Sequence, residues 1–350
     1  MTAPRLRVAE FDYDLPSDAI AQAPADPRDA SRLLVLDRST GSIEHAHFRD
    51  LGTWLCAGDL LVVNDSRVIP ARLLGRRGSG GRAEFLVLRR IEGSDDWEAL
   101  VRPSRRIPAG EAVTLGNGSR VEVGERLGDG TRRVRFDGDP QTIMAAAGEL
   151  PLPPYIRART VADERYQTVY ARPPGSAAAP TAGLHFTDRL LDELARAGVE
   201  RASVTLHVGL DTFRPLEGDF VDEHHIHREW YEIPPETSAA ITRARADGRR
   251  VIAVGTTAVR VLETAARSGA SAGWTDLYIT PPYRFRAVDA LITNFHLPRS
   301  SLLLLVTAFV LDGLRDATPQ DARDVLLDSY RMALEAGYRF FSFGDATLVV

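Results

Sequence analysis

The sequence contains no lysine, and all 43 of its basic residues are arginine. Schiff-base chemistry, the anchoring of pyridoxal phosphate and the phosphate-binding lysine of P-loop enzymes all require a lysine amine. An arginine side chain stays protonated and cannot replace that amine as a base near neutral pH. The absence of lysine therefore excludes these three kinds of chemistry.

Cysteine is almost absent as well, because Cys56 is the only one in the chain. One cysteine can form neither an internal disulfide nor a thiolate metal cluster. The segment Met1–Glu10 lacks the apolar stretch of a secretory signal. The longest apolar run, Leu302–Val306, continues to Leu311 with one interruption and is shorter than the roughly 20 residues of a membrane span. We therefore expect a cytoplasmic protein with no membrane partner, in which this run forms a buried helix.

Positive charge is scarce overall but concentrated in one region. The net charge is −5, which argues weakly against a nucleic-acid partner. Between Ser66 and Arg135, however, 15 arginines face 9 acidic residues, a balance of +6, whereas the rest of the chain has 28 basic and 39 acidic residues, a balance of −11. Such an asymmetry is typical of a nucleic-acid-binding surface on one domain. An ordinary solvated surface explains the charge equally well.

The hydrophobic pattern changes character twice along the chain. From Arg32 to Arg67 it predicts strand, helix, strand, with apolar strands at Arg32–Asp37 and Asp59–Asn64. From Ala71 to about Phe136 the segments are short, rich in β-formers and separated by glycine turns, one of them Gly128–Gly130. Alternation is clear in this region, which predicts a small β-barrel or sandwich. The segments with the clearest alternation are Ser119–Val123 and Arg132–Phe136.

After Leu150–Tyr155, predicted helices alternate with predicted strands. The helices are Asp188–Ala197, Pro235–Asp247, Thr257–Ser268 and Ser300–Asp312, and the strands are Ala202–Leu206, Val251–Val254 and Ala290–Thr293. Strands that alternate with helices of this length predict a largely parallel sheet. The predicted fold class is α/β, with an inserted small β-barrel. We expect residues 1–69 and 151–350 to form a discontinuous catalytic domain and residues 70–150 to form the barrel.

Five segments carry a resemblance to a known family. They are Asn64–Leu73, Ala179–Thr187, Thr205–Phe213, Val254–Arg260 and Ala290–Pro298, and Tyr338–Ala346 also fits. In this order, and over nearly the whole chain from Phe11 onward, the sequence resembles the S-adenosylmethionine:tRNA ribosyltransferase-isomerases of queuosine biosynthesis. The match of several long segments is far more specific than any single glycine motif.

The resemblance implies a reaction in which S-adenosylmethionine donates a ribosyl group instead of a methyl group. The acceptor would be 7-aminomethyl-7-deazaguanine at the wobble position of tRNA, and the products would be epoxyqueuosine-tRNA, adenine and methionine. S-adenosylmethionine is then consumed as a substrate, so we expect no cofactor and no metal. We also expect a monomeric enzyme. A base must remove the acidic proton on the carbon next to the sulfonium, and an acid should assist the departure of adenine.

The expected substrate-binding residues lie at strand ends and in the family segments. They are Thr181, Gly183, Gly255, Thr256, Thr257, Arg260, Asn294 and His296. Ligands of α/β sheets gather at the carboxyl ends of strands, where most of these residues fall. Gly255–Thr257 follows a buried strand and opens a helix, a position that attracts the methionine carboxylate or a tRNA phosphate. On local sequence alone, an ordinary helix with a threonine cap is the alternative.

Two histidines are candidates for proton transfer. His185 lies in a glycine-containing loop before a helix, and histidine has a pKa near working pH. His207 ends an apolar strand and is the second candidate, although a histidine at a strand end is more often a structural hydrogen-bonding residue. We therefore place His185 ahead of His207 and leave open which group is the acid and which the base.

A histidine cluster and an arginine cluster complete the candidate residues. His224, His227 and Glu229, with His225 between them, raise the alternative of a zinc-dependent hydrolase, but their spacing lacks the H-E-x-x-H pattern. The expected tRNA-binding residues are Arg67, Arg72, Arg76, Arg77 and Arg82, close to the loop Gly78–Gly81. A non-catalytic RNA-binding barrel is a second alternative.

Three positions depart from the pattern of the family that the sequence resembles. Arg82 stands where lysine is common, so its role there must be charge or hydrogen bonding. Ala258 replaces a frequent serine, whose hydroxyl is therefore not essential. Asp211 replaces a glycine, which puts the local loop geometry in doubt.

Overall fold

The computed structural model describes residues 5–127, 130–153, 155–157, 162–209, 216 and 218–350. The chain divides into two compact units. The first contains Met1–Ser66, Pro154–Pro173 and Ala179–Val350, and the second contains Arg67–Pro153 and Pro174–Ala178. The second unit thus takes in a short segment, Pro174–Ala178, that the sequence placed with the first.

The strands, in chain order, are β1 Arg32–Leu36, β2 Ile43–His47, β3 Leu60–Asn64, β4 Arg67–Val68, β5 Arg72–Arg77, β6 Arg82–Arg90, β7 Trp97–Arg102, β8 Glu111–Leu115, β9 Arg120–Arg126, β10 Arg132–Phe136, β11 Gly148–Glu149, β12 Pro174–Ser176, β13 Glu200–Leu206, β14 Glu229–Glu232, β15 Val251–Val254, β16 Ala272–Thr275, β17 Ala290–Asn294 and β18 Ala346–Val349. The α-helices are α1 Pro140–Ala147, α2 Asp188–Arg196, α3 Pro235–Ala246, α4 Gly255–Ser268, α5 Ser301–Gly313 and α6 Pro319–Glu335.

Within the described chain, the first unit is built on a nine-stranded mixed sheet with the order β16-β14-β13-β3-β15-β17-β18-β1-β2. The central strands β13, β3, β15 and β17 pair in parallel, whereas the pairs at the two ends, β13–β14–β16 and β1–β2, are antiparallel. Strands β3, β15 and β17 are buried along their whole length, as expected for parallel strands that are covered on both faces. The predicted α/β class is confirmed, but the sheet is mixed and not largely parallel, because β17 also pairs antiparallel with β18.

The helices that followed clear sequence signals are confirmed. Helix α2 begins after Thr187, whose hydroxyl accepts a hydrogen bond from the backbone N–H of Leu190. Helix α5 begins after Ser300 and is buried along most of its length, as its continuous apolar run predicts. One face of the central sheet packs against Phe48, Phe186, Leu190 and Leu194, so α2 covers that side.

The helix predicted between the first two long strands is wrong. The chain forms instead a hairpin, in which β2 pairs with β1, followed by a 3-10 helix at Phe48–Thr53. The turn depends on Gly41, which has a φ of 74° and donates its backbone N–H to Asp37 O over 2.7 Å. A left-handed glycine favours a tight turn over a helix at this position.

In the second unit, six strands close into a β-barrel in the order β5-β6-β7-β10-β9-β8, and β8 pairs back onto β5. Inward-facing side chains such as Leu73, Phe85 and Val121 are fully buried and form its core. Helix α1 packs Ile143 and Met144 onto that core. The predicted barrel is therefore confirmed. Among the helices described in both units, none is long and apolar enough to cross a membrane.

Candidate functional site

A pocket opens in the first unit at the carboxyl ends of β15 and β17. Its lining consists of Ala179–Ala182, Val208, Gly255–Thr257, Thr293–His296, Leu302, Phe341 and Ser342, and we refer to it as the Asn294 pocket. Six of the eight expected substrate-binding residues line it: Thr181, Gly255, Thr256, Thr257, Asn294 and His296. Segments far apart in sequence therefore meet where the strand ends predicted a site.

The first turn of α4 forms one wall of this pocket. Gly255 has a φ of 86°, a conformation that glycine adopts without strain, and it turns the chain directly from β15 into the helix. The N-cap residue is Val254, whose side chain makes no cap hydrogen bond, so the alternative of a threonine cap is wrong. The hydroxyl of Thr257 is buried and has no hydrogen-bond partner among the described residues. The Thr257 hydroxyl is thus a donor beside the pocket that the described chain leaves unused.

A buried chain of hydrogen bonds holds Asn294 in the lining of the same pocket. Thr181 Oγ1 donates to Asn294 Oδ1 over 3.0 Å, and Asn294 Nδ2 donates to His185 Nε2 over 3.0 Å. Because an amide nitrogen is only a donor, His185 Nε2 must be unprotonated, and Nδ1 donates to Ser31 Oγ over 2.7 Å. The amide is thereby fixed in one orientation.

His185 does not line the pocket that it supports. The side chain is buried, stacks on Phe48 with ring centroids 5.0 Å apart and uses both ring nitrogens in hydrogen bonds. Burial, followed by the positive charges of Arg339 and Arg28, lowers the pKa of His185 to about 3. A neutral histidine with both nitrogens engaged positions a neighbour more readily than it exchanges protons with a substrate.

His296 and His207 occupy different surroundings. His296 lines the pocket, its Nε2 lies 3.0 Å from Thr293 Oγ1, and burial lowers its pKa to about 3. His207 follows β13 and lies outside the lining of the pocket, although its neighbour Val208 is part of it. Burial lowers the pKa of His207, and its Nδ1 has no partner within the described chain.

Gly183 is expected to bind substrate, but the structure gives it a packing role. It lies in the 3-10 helix Thr181–His185, is buried and does not line the pocket. A Cβ atom at this position would lie 2.2 Å from Tyr170 Oη and 2.8 Å from Thr168 Cγ2. The glycine is therefore explained by the close approach of Tyr170, which the sequence did not reveal.

Arg260, the remaining expected substrate residue, faces a second pocket. Its guanidinium forms an ion pair with Glu229, and its Nε donates to Leu277 O over 3.1 Å. Glu229 Oε1 also accepts a hydrogen bond from the backbone N–H of Gly209 over 2.7 Å. The side chains of Arg260 and Glu229 are buried and line this second pocket together with His227 and Tyr278. We refer to it as the Glu229 pocket. The charge of Arg260 is therefore balanced by Glu229. Arg260 lines a different pocket from Gly255–Thr257, although all of them belong to α4.

The histidine cluster is spread over different contacts. The ring of His224 packs edge-on against Tyr278 with centroids 5.7 Å apart, whereas His227 and Glu229 line the Glu229 pocket. In the part of the chain that the structure describes, no three histidine, cysteine or acidic side chains form a group that could hold a metal ion.

Leu210–Phe213, with the unusual Asp211, lies outside the described residues, as does Gly128 of the predicted barrel turn.

The five arginines expected to bind tRNA fall into distinct classes. Arg72 pairs with Glu84 and Glu149, and Arg77 forms two hydrogen bonds with Glu111. Arg67 begins β4, which pairs with β12. Arg76 and Arg82 are exposed and lie opposite each other on β5 and β6. The guanidinium groups of Arg72 and Arg77 are already paired with carboxylates on other strands. These two arginines therefore hold the barrel strands together.

Sequence reasoning missed several residues of the site. Ser31 was not selected, because a lone serine before a strand gives no signal, yet it holds His185 across 154 positions of sequence. Phe341 and Ser342 also line the Asn294 pocket, and Phe341 O lies 3.3 Å from Asn294 Nδ2. Their segment, Tyr338–Ala346, matched the family pattern and was the signal available for them.

Comparisons with known proteins agree on one family. The model of the family described as "queuosine biosynthesis protein" matches residues 8–349. Proteins named S-adenosylmethionine:tRNA ribosyltransferase-isomerase from Moorella thermoacetica and Heliobacterium modesticaldum are each 52% identical to this chain, over 99% of this chain and 100% of theirs. The crystal structure of S-adenosylmethionine tRNA ribosyltransferase from Thermotoga maritima is 40% identical, covers 97% of this chain and 100% of its own, and has a TM-score of 0.56.

Proposed function

The chain belongs to the queuosine biosynthesis protein family and is an S-adenosylmethionine:tRNA ribosyltransferase-isomerase, and we propose that its S-adenosylmethionine binds in the Asn294 pocket. The reaction transfers and isomerises the ribosyl group of S-adenosylmethionine onto 7-aminomethyl-7-deazaguanine at the wobble position of tRNA. Adenine and methionine are released. The alternatives of a metal-dependent hydrolase and of a non-catalytic barrel are thereby replaced.

One observation carries the assignment of the pocket. The first turn of α4 has no side-chain cap from Val254, and the adjacent Thr257 hydroxyl is buried without a partner in the described chain. Backbone N–H groups at a helix start, together with a hydroxyl, suit a carboxylate or a phosphate. The methionine carboxylate of S-adenosylmethionine is the anion that we place there.

Asn294 provides the second point of recognition. Its Oδ1 accepts one hydrogen bond from Thr181, and a carbonyl oxygen has a second lone pair that can accept another. Because the carbonyl oxygen of Phe341 accepts a hydrogen bond from the amide nitrogen, the amide oxygen cannot exchange places with the nitrogen without losing that contact. We assign Asn294 Oδ1 to an N–H donor of the substrate.

The same geometry favours a positioning role for His185. Proton transfer by His185 stays a prediction, but the ring would have to break its contact with Ser31 or Asn294 to reach a substrate. We assign to His185 the task of holding the amide of Asn294. Proton transfer by His207 likewise stays a prediction.

Three finer expectations belong to the same proposal. We propose that the enzyme acts as a monomer, that it works in the cytoplasm, and that S-adenosylmethionine is consumed without a resident cofactor or metal. Sedimentation of the purified enzyme and metal analysis with chelator treatment test the first and the third. Inhibition by a chelator that zinc reverses would contradict the third.

The pocket assignment is tested by S-adenosylmethionine binding to an Asn294→Ala variant. Loss of a buried hydrogen bond costs about 1–3 kcal/mol, so affinity should fall by roughly ten-fold or more. The control is Asn117→Ala, which removes an asparagine from an exposed turn of the barrel where Asn117 Oδ1 accepts from Ser119 N over 3.1 Å. Thr181→Val provides a second test if the Asn294 variant does not fold. Equal affinity in all of these proteins would contradict the assignment.

A further inference from the structure

Four residues lie opposite one another across four neighbouring strands of the barrel. Arg82 on β6 pairs with Arg76 on β5, Arg76 pairs with Thr114 on β8, and Thr114 pairs with Arg120 on β9. Residues that are directly opposite in antiparallel strands point to the same face. All four are exposed, so that face is the outer surface. We refer to them as the arginine row, which spans about 14 Å because neighbouring strands lie about 4.8 Å apart.

Among the described residues, the guanidinium groups of the row have no ion-pair partner, in contrast to their neighbours. Within the described chain, no carboxylate forms an ion pair with Arg76, Arg82 or Arg120. The acidic residues Glu84 and Glu111, on the same strands, are held by Arg72 and Arg77. Like charges directly opposite on a sheet destabilise it. An anion from outside the chain would relieve this repulsion between Arg76 and Arg82.

We propose that the arginine row binds the phosphodiester backbone of the tRNA substrate. Guanidinium groups bind phosphate oxygens through paired N–H donors, and the Thr114 hydroxyl adds a further donor between Arg76 and Arg120. The row lies in the region with the +6 balance, whereas the rest of the chain has a balance of −11. The proposal rests on the proposed function only in that the polyanion is tRNA.

The row changes the set of arginines that the sequence selected. Arg76 and Arg82 stay in the set. Arg120 joins it because the pairing of β8 with β5 and β9 places Arg120 in line with Thr114 and Arg76. Arg72 and Arg77 leave the set, because replacing their carboxylate partners by phosphates would break ion pairs between strands. Contacts of this kind fix the position of the RNA and do not read its sequence.

The test compares two triple variants that remove the same charge. The first changes Arg76, Arg82 and Arg120 to glutamine. The control changes Arg77, Arg90 and Arg135 to glutamine, and each of these arginines pairs with a carboxylate of the barrel, namely Glu111, Asp95 and Asp96. Both variants lose three positive charges. A difference between their tRNA affinities therefore reflects where the charges lie and not the change in net charge.

The measurement is tRNA binding over a salt series. Each lost phosphate contact lowers the slope of log affinity against log salt by about 0.7–0.9, so the row variant should lose about 2–2.7 and the control less than one unit. S-adenosylmethionine affinity should be unchanged in both. Arg82→Gln alone, with an expected loss of about 0.7–0.9, replaces the triple variant if that protein does not fold. Equal slopes and affinities for the two triple variants would overturn the proposal. A wild-type enzyme that binds tRNA but releases no adenine would contradict the proposed function. The binding comparison between the two triple variants would still test the arginine row in that case.

Discussion

The ring of His185 accepts a hydrogen bond from the side chain of Asn294 over 3.0 Å, and this contact joins a buried 3-10 turn to the end of strand β17. Ser31 fixes the other ring nitrogen from 2.7 Å. The three residues come from distant parts of the sequence and together set the orientation of one amide in the pocket. The role of His185 in the active site is therefore either to move protons or to hold Asn294.

Two substitutions of His185 separate these roles. If it positions Asn294, His185→Ala should weaken S-adenosylmethionine binding as well as turnover, and His185→Gln should restore part of both, because the glutamine oxygen can accept from Asn294 Nδ2. The measurements are the dissociation constant and kcat for each variant. Proton transfer predicts a different result, in which both variants lose about 10²–10⁴-fold in kcat while affinity changes little.

Protein stability should decrease as the pH falls below about 6.5. Burial lowers the pKa of both His185 and His296 to about 3, whereas histidine in an unfolded chain titrates near 6.5. Between these values the unfolded chain binds protons that the folded chain does not, so each histidine lowers the free energy of unfolding by roughly 1.4 kcal/mol per pH unit. Above about 6.5 both states are neutral at these sites and the contribution is constant.

Urea denaturation at several pH values checks this prediction. The midpoint should fall between about pH 7 and pH 5, and His296→Gln should reduce the dependence on pH. The matched control is His225→Gln, which removes an exposed histidine instead of a buried one. A His296→Gln variant with the full wild-type dependence would show that the burial of this ring is not responsible.

Gly183→Ala should destabilise the protein, because the new Cβ would lie 2.2 Å from Tyr170 Oη. Overpacking of this kind typically costs about 1–3 kcal/mol. Tyr170→Phe removes the hydroxyl, which has no hydrogen-bond partner in the described chain, and should recover part of the loss in the double variant. Thermal unfolding of the two single variants and the double variant measures the coupling. Strictly additive effects would show that the hydroxyl is not the clashing atom.

Thr257→Val should weaken S-adenosylmethionine binding with little loss of stability. The substitution keeps the shape of the side chain and removes a buried hydroxyl that has no partner among the described residues. Because the free protein loses no hydrogen bond, the cost should appear only on binding, as roughly a ten-fold loss or less. Calorimetric titration and a denaturation curve measure the two quantities. Unchanged affinity would remove Thr257 from the anion site.

Gly255→Ala tests the turn that brings Thr257 to the pocket. A φ of 86° at Gly255 is strained for alanine and should cost about 1–2 kcal/mol of stability. Gly269→Ala introduces the same strain at the other end of α4, where φ is 73° and the added Cβ meets open space. We expect similar destabilisation by both substitutions and weaker S-adenosylmethionine binding only for Gly255→Ala. Equal binding by the two variants would place the substrate away from this turn.

Local signals in the sequence predicted most elements but not the way in which they pair. Helix α5 and strands β15 and β17 follow from their apolar runs, because burial dominates their formation. The placement of β18 between β17 and β1 did not follow, since it depends on long-range packing of the chain end. The hairpin at Gly41 was missed because strand β2 is mostly exposed and polar and so lacks the apolar signal of a buried strand.

The candidate site shows the same division. Strand ends predicted Asn294 and Gly255–Thr257, whereas the partners of His185 and the packing of Gly183 depend on residues far apart in sequence. Arg120 could not be selected together with Arg76, because the register between β5 and β8 exists only once the barrel closes. Register of this kind is set by tertiary packing and not by a local pattern.

The most direct test of the assigned activity is the reaction itself. The purified enzyme, given S-adenosylmethionine and tRNA that carries 7-aminomethyl-7-deazaguanine, should release adenine and methionine. Mass spectrometry of the digested RNA should show a base that is heavier by the epoxide-bearing cyclopentane unit. RNA that gains a methyl group instead, or adenine release with no change in the RNA, would contradict the account.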